Sequence, residues 1–184
     1  MLSCEVLDPL YGLILLERDP DGSRVTVSGD SIPTASINRT SDTAVRSDVP
    51  IGTRDGGQLR MTLDGNEFDV QPSLGRFSRR SYRVEVTGYG HSWLFTPASP
   101  TAHRLVQGSR YTGHNMIGMF TADDDVVTVE WAQEVRFAGA AARKVDSAPL
   151  DCALGYLLAA AFGTGAQLML AAIVTGATGA LFPG

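Results

Sequence analysis

The chain has 184 residues, 43% of them hydrophobic and 19% charged, with a net charge of -5. That length allows a single domain to bury roughly 70% of its unfolded surface, and the composition excludes disorder over most of it. The acidic balance excludes a general nucleic-acid binder, which gains affinity by neutralising many phosphates.

The charge is uneven. Residues 1–75 carry 12 acids and 6 bases, whereas residues 76–149 carry 7 acids and 9 bases, so the middle of the chain is its basic part. Cys4 and Cys152 have neither CxxC nor zinc-ligand spacing, and no disulfide framework is expected. The apolar run at 10–16 is short and no basic region precedes it, so no secretory signal is read. The expected compartment is the cytoplasm or its membrane face.

In chain order, YGLILLE and SRVTVSG flank RDPDGS, where Pro20 presets φ and Gly22 accepts a positive φ; the prediction is a hairpin. Residues 30–56 are small, polar and turn-forming, interrupted by Pro33 and Pro50, and read as an exposed loop or weak edge strands. The sequon Asn38-Arg39-Thr40 matters only in a secreted protein. QLRMTL alternates Leu59, Met61 and Leu63 with Arg60 and Thr62, and DGN leads into EFDV as a second hairpin.

The second half carries stronger strands. SYRVEVTGY sets Tyr82, Val84 and Val86 against Arg83, Glu85 and Thr87, the period of a half-buried strand. HSWLFTP, HRLVQ, MIGMFT and DVVTVEWAQEVRF complete the series, with Asp123, Asp124 and Asp125 in the turn before the last. A helix then follows, with Ser147 as candidate N-cap, Pro149 in its first turn and Asp151 at the positive end of its dipole. Leu150, Leu154, Leu157 and Leu158 share a face, yet Ala153, Tyr156 and Ala160 occupy the other. A helix apolar all round is buried by protein or by lipid.

Chemistry-bearing patterns are sparse. His91, His103 and His114 are scattered near strand ends and make a poor metal set, and Asp19, Asp21 and Asp123 to Asp125 lack the pattern of a calcium loop. No GxSxG, phosphate-cradling or dinucleotide loop occurs, so neither catalysis nor a cofactor is expected. Trp93 and Trp131 read as core aromatics. The notable polar run is RFSRRSYR, which holds Arg76, Arg79, Arg80 and Arg83 without an intervening acid. Guanidinium groups so grouped suit phosphate, and each base near an anionic membrane contributes about 1 kcal/mol.

Paired strands from Tyr11 onward, the Trp131 strand and then the hydrophobic stretch DCALGYLLAAAF resemble the tubby C-terminal-like superfamily, which includes the phospholipid scramblases and LURP-one-related proteins. The resemblance implies a closed antiparallel barrel of about twelve strands around a hydrophobic C-terminal helix, and binding at phosphoinositides or membrane surfaces. The expected fold is therefore mainly β, with residues 1–162 as barrel plus buried helix and 163–184 as an extra apolar segment. The expected function is a non-enzymatic module for anionic lipid head groups, through Arg76, Arg79, Arg80 and Arg83, or for a protein partner.

The alternative is a tail-anchored protein with an accessory role in a membrane complex. Residues 152–174 carry no charge, and about 20 residues span a bilayer. Many Ala and Gly weaken that stretch, so insertion is expected to be marginal. If it is anchored, Arg143 and Lys144 would keep the β domain cytoplasmic.

Overall fold

The computed structural model describes residues 1–40, 45–74, 79–123, 126–132 and 146–163. Its strands are β1 (Leu2–Asp8), β2 (Gly12–Arg18), β3 (Arg24–Gly29), β4 (Ile32–Arg39), β5 (Leu59–Leu63), β6 (Asn66–Pro72), β7 (Val84–Gly88), β8 (His91–Pro97), β9 (Ala102–Gln107), β10 (Met116–Asp123) and β11 (Val126–Trp131). Each pairs antiparallel with the one before, in an unbroken meander. The sheet curls into a nearly closed barrel, and the one α-helix among the described residues, α1 (Pro149–Phe162), packs against strands from both halves of it.

The expected antiparallel barrel is present, and among the described residues it is nearly closed, with a seam between β1 and β11. In a meander of eleven strands the first and last run the same way, so β1 and β11 cannot complete the antiparallel ladder. Among the described residues no backbone ladder joins them. They approach at one end, where the Trp131 indole donates to both carboxylate oxygens of Asp8 at 3.2 Å.

Turn chemistry sets the hairpins. Asp64-Gly65 joins β5 to β6 with φ of 52° and 80°, the left-handed pair that matches strand twist. Alternation sets the faces: Val84 and Val86 of β7 are buried, and Glu85 and Thr87 are not. Tyr82 is not part of that strand but closes a short 3-10 helix, Arg79–Tyr82.

Two expectations need larger correction. A strand, β1, precedes the first predicted hairpin. Residues 32–39, read as loop or weak edge, form β4, an interior strand paired on both sides. Pro33 is tolerated because it falls in a bulge between the pairs Val27–Ala35 and Gly29–Ile32, where no ladder N–H is needed. The following segment is not simply exposed either, since Val49, Ile51, Thr53 and Arg54 are buried.

With eleven strands among the described residues, the barrel is wider than the eight whose side chains just fill a lumen. The helix fills the rest. From Asp151 to Ala159 every residue of α1 is buried, whichever way it points. Gly155 makes the closest approach: a Cβ there would lie 2.0 Å from Cζ of Phe120, so the ring lies directly on the helix backbone. Ser147 does not cap α1; Ala148 occupies that position, and the Asp151 carboxylate accepts from the Ala148 N–H at 2.8 Å. The last predicted strand's residues 133–137, and the extension 164–184, lie outside the described residues.

Candidate functional site

Strand direction gives the barrel two unlike rims. The upper rim holds the β1–β2, β3–β4, β5–β6, β7–β8 and β9–β10 links and the start of α1. The lower rim holds the β2–β3, β4–β5, β6–β7, β8–β9 and β10–β11 links and the end of α1, where the Ile51 N–H donates to Ala161 O at 2.9 Å.

At the upper rim polar atoms serve the core. Asp8 is 3% exposed and accepts from the Leu10 and Tyr11 N–H groups at 2.8 and 2.9 Å, from Trp131, from Tyr156 Oη at 3.1 Å and from Cys152 Sγ at 3.8 Å. Burial, reinforced by the Asp8 charge, raises the pKa of both the Cys152 thiol and the Tyr156 hydroxyl. The thiol is therefore inert, and donors already surround the carboxylate. Trp93 donates to Asp151 at 2.8 Å in the same manner, so both indoles are hydrogen-bonded, Trp93 within the core and Trp131 partly buried against it.

The lower rim gathers several arginines, together with Asp19, Asp21, Asp48, Asp55 and, at the end of β10, Asp123. Arg54, 4% exposed, donates to the carbonyls of Ser73 and Tyr82 at 3.2 Å, and its guanidinium faces the Tyr82 and Phe162 rings at 5.3 Å. Burial lowers its pKa to about 10, which leaves it charged at neutral pH. It sits against the negative end of α1, where a cation is favoured. Arg18 donates to the carbonyl of Pro50, and Arg18 Nε and Arg39 Nη1 are buried without a hydrogen-bond partner among the described residues. The Asp21 carboxylate at this rim is engaged by the Ser23 N–H and hydroxyl at 3.0 and 2.8 Å.

Arg46 links two segments. Its Nε donates to Asp48 Oδ1 at 3.0 Å, and its Nη1 to the Leu74 carbonyl at 2.9 Å. This ties the β4–β5 segment to the β6–β7 segment that carries the arginine run. Of that run, Arg76 lies outside the described residues. Arg79 and Arg80 open the 3-10 helix, and only their backbone is described. Arg83 is exposed, donates to Ser73 Oγ at 3.3 Å and lies 3.4 Å from Glu85, which tempers its charge. Sequence spacing found these four but missed Arg18, Arg39, Arg46 and Arg54, which the meander delivers to the same rim from distant positions.

The histidines do not converge. His91 is exposed beside Trp93, His114 is exposed, and His103 is 2% exposed and stacked on Phe95 at 4.5 Å. Among the described residues no group of three His, Cys, Asp or Glu side chains is placed to hold a metal ion. The sequence matches no protein-family model, no curated protein and no solved structure.

Burial above all, with the Arg54 charge, lowers the His103 pKa to about 3, and its contact with the Tyr82 carbonyl opposes this only partly. The unfolded chain binds the proton near pH 6.5 while the folded chain refuses it, so stability present above that pH falls as pH drops. Urea unfolding should show a loss of about 2 kcal/mol from this residue between pH 7 and pH 5. In His103→Phe that part of the pH dependence should vanish, whatever the variant's stability at pH 7. An unchanged difference would clear His103 of the effect.

Proposed function

We propose that the protein is a non-enzymatic binding module whose lower rim takes the head groups of an anionic membrane surface. The observation that carries this reading is the Arg46 bond to the Leu74 carbonyl, which joins the segment bearing Arg39, Arg46 and Arg54 to the one bearing Arg79, Arg80 and Arg83. These arginines lie between positions 39 and 83 of the chain; gathered at one end they act on one surface, each exposed charge worth about 1 kcal/mol near anionic lipid, while the buried Arg54 holds the links in place. The order of paired strands followed by a buried hydrophobic helix, similar to that of the tubby C-terminal-like superfamily, supports the same reading.

Flotation with phosphatidylserine-containing vesicles tests it. Binding should fall with added salt, because exposed charges are screened over about 10 Å at 0.1 M. Arg79→Glu with Arg80→Glu should weaken it by at least about thirtyfold, the equivalent of about 2 kcal/mol. Absence of flotation, or flotation indifferent to this pair, rejects the proposal.

A tail-anchored reading keeps a narrower basis. Among the described residues no helix is long and apolar enough to cross a membrane. Pro149–Phe162 is enclosed by the barrel, which removes it from the uncharged stretch first considered as an anchor. Residues 164–184 remain, uncharged over their whole length and leaving from Gly163 at the lower rim. If they anchor the chain, it should stay with host membranes through carbonate extraction; full release into the soluble fraction rejects anchoring.

A further inference from the structure

Beside the arginines, the β4–β5 and β6–β7 links of the lower rim each expose a large apolar side chain, apart from Met1 and Leu2 at the start of β1. Val45 is 60% exposed and Leu74 67%. They belong to different links, yet Arg46 holds those links together: it follows Val45 in sequence, pairs with Asp48 and donates to the carbonyl of Leu74 itself. Val45 also has a fixed footing. A Cβ on Gly52 would meet Val45 Cγ1 at 2.9 Å as well as the Arg39 guanidinium, so the valine and that arginine share the space above one glycine.

We propose that Val45 and Leu74 form an apolar wedge that enters the boundary between head groups and acyl chains, making a lipid bilayer the partner of this rim. The inference rests on the lower-rim reading and deepens it. A soluble anion would engage the arginines and leave the two apolar side chains in water. A bilayer offers both kinds of contact at the correct depths, with guanidinium groups among phosphates and aliphatic tips below them. Leu7, Leu10 and Leu13, likewise exposed, belong to the β1–β2 hairpin around the upper rim, away from these arginines, whereas the exposed Leu2 pairs with Arg18 at the lower end of β1. The upper-rim leucines provide a control within the same molecule.

The test uses the full chain and phosphatidylserine-containing vesicles, with inorganic phosphate and heparin as soluble anions. Val45→Ser with Leu74→Ser keeps the charge constant and should weaken vesicle binding by at least about tenfold, as expected for two partly inserted aliphatic side chains. Leu7→Ser with Leu13→Ser should leave it within about twofold. An environment-sensitive dye on Leu74→Cys, in a Cys4→Ser background, should shift to the blue on vesicles and not with heparin or phosphate. Vesicle binding that is unchanged in the Val45/Leu74 pair, with no dye shift, overturns the wedge and leaves the arginine reading standing. Failure of the unaltered protein to bind vesicles overturns both.

Discussion

A chain ending at Ala148 is expected to lose its cooperative unfolding transition, whereas one ending at Gly163 should keep it. The difference is α1, whose Cys152, Ala153, Leu154, Tyr156, Leu157, Leu158, Ala159 and Ala161 are each at most 1% exposed. Burying one such large aliphatic or aromatic side chain stabilises by about 1.5–3 kcal/mol, and domains of this size are stable by only about 5–15 kcal/mol. Without the helix, Phe120, Ile37 and Ile14 would line an empty lumen that a hydrogen-bonded barrel cannot collapse to fill. Urea titration followed by tryptophan fluorescence should give the chain ending at Gly163 a sharp transition, since Trp93 keeps its Asp151 partner. A transition of full-length slope in the chain ending at Ala148 would mean that the barrel folds without its core helix.

The legible parts of this fold were those governed by short-range periodicity. Val84 against Glu85, Leu59 against Arg60, and the all-round apolar pattern of DCALGYLLAAAF each identify an element from neighbours a few positions apart. Residues 32–39 do not read as a strand because Pro33 signals a break, and the bulge that contains it shows how the ladder survives there. The site divides in the same way. Arg79, Arg80 and Arg83 stand out because they are close in sequence. Arg46 and Leu74 are 28 positions apart, and their contact follows from the meander folding alternate links to one rim. Buried partners were the least legible: nothing local marks Asp8, whose Tyr156 and Trp131 donors lie 148 and 123 positions away.

Asp8→Ala is accordingly expected to be the most damaging single change to polar structure, at about 3–5 kcal/mol of stability. The loss is one of accounting among donors. Truncation removes the common acceptor of two backbone N–H groups, the Trp131 indole, the Tyr156 hydroxyl and the Cys152 thiol, and several of these are too deep to recover water. It also releases the tie across the β1–β11 seam, where no ladder among the described residues holds the strands. Asp8→Asn should cost less, because its amide oxygen still accepts from part of the set, although its NH2 then faces a donor. In denaturant titrations the midpoint should fall in the order wild type, Asp8→Asn, Asp8→Ala. Tyr156→Phe in the wild-type background should cost about 1 kcal/mol by removing one donor, and in the Asp8→Ala background almost nothing, since the hydroxyl has already lost its partner. Additive effects of the two substitutions would show that the carboxylate and the helix hydroxyl stabilise the barrel independently, and would sink the view of Asp8 as the shared anchor of seam and helix.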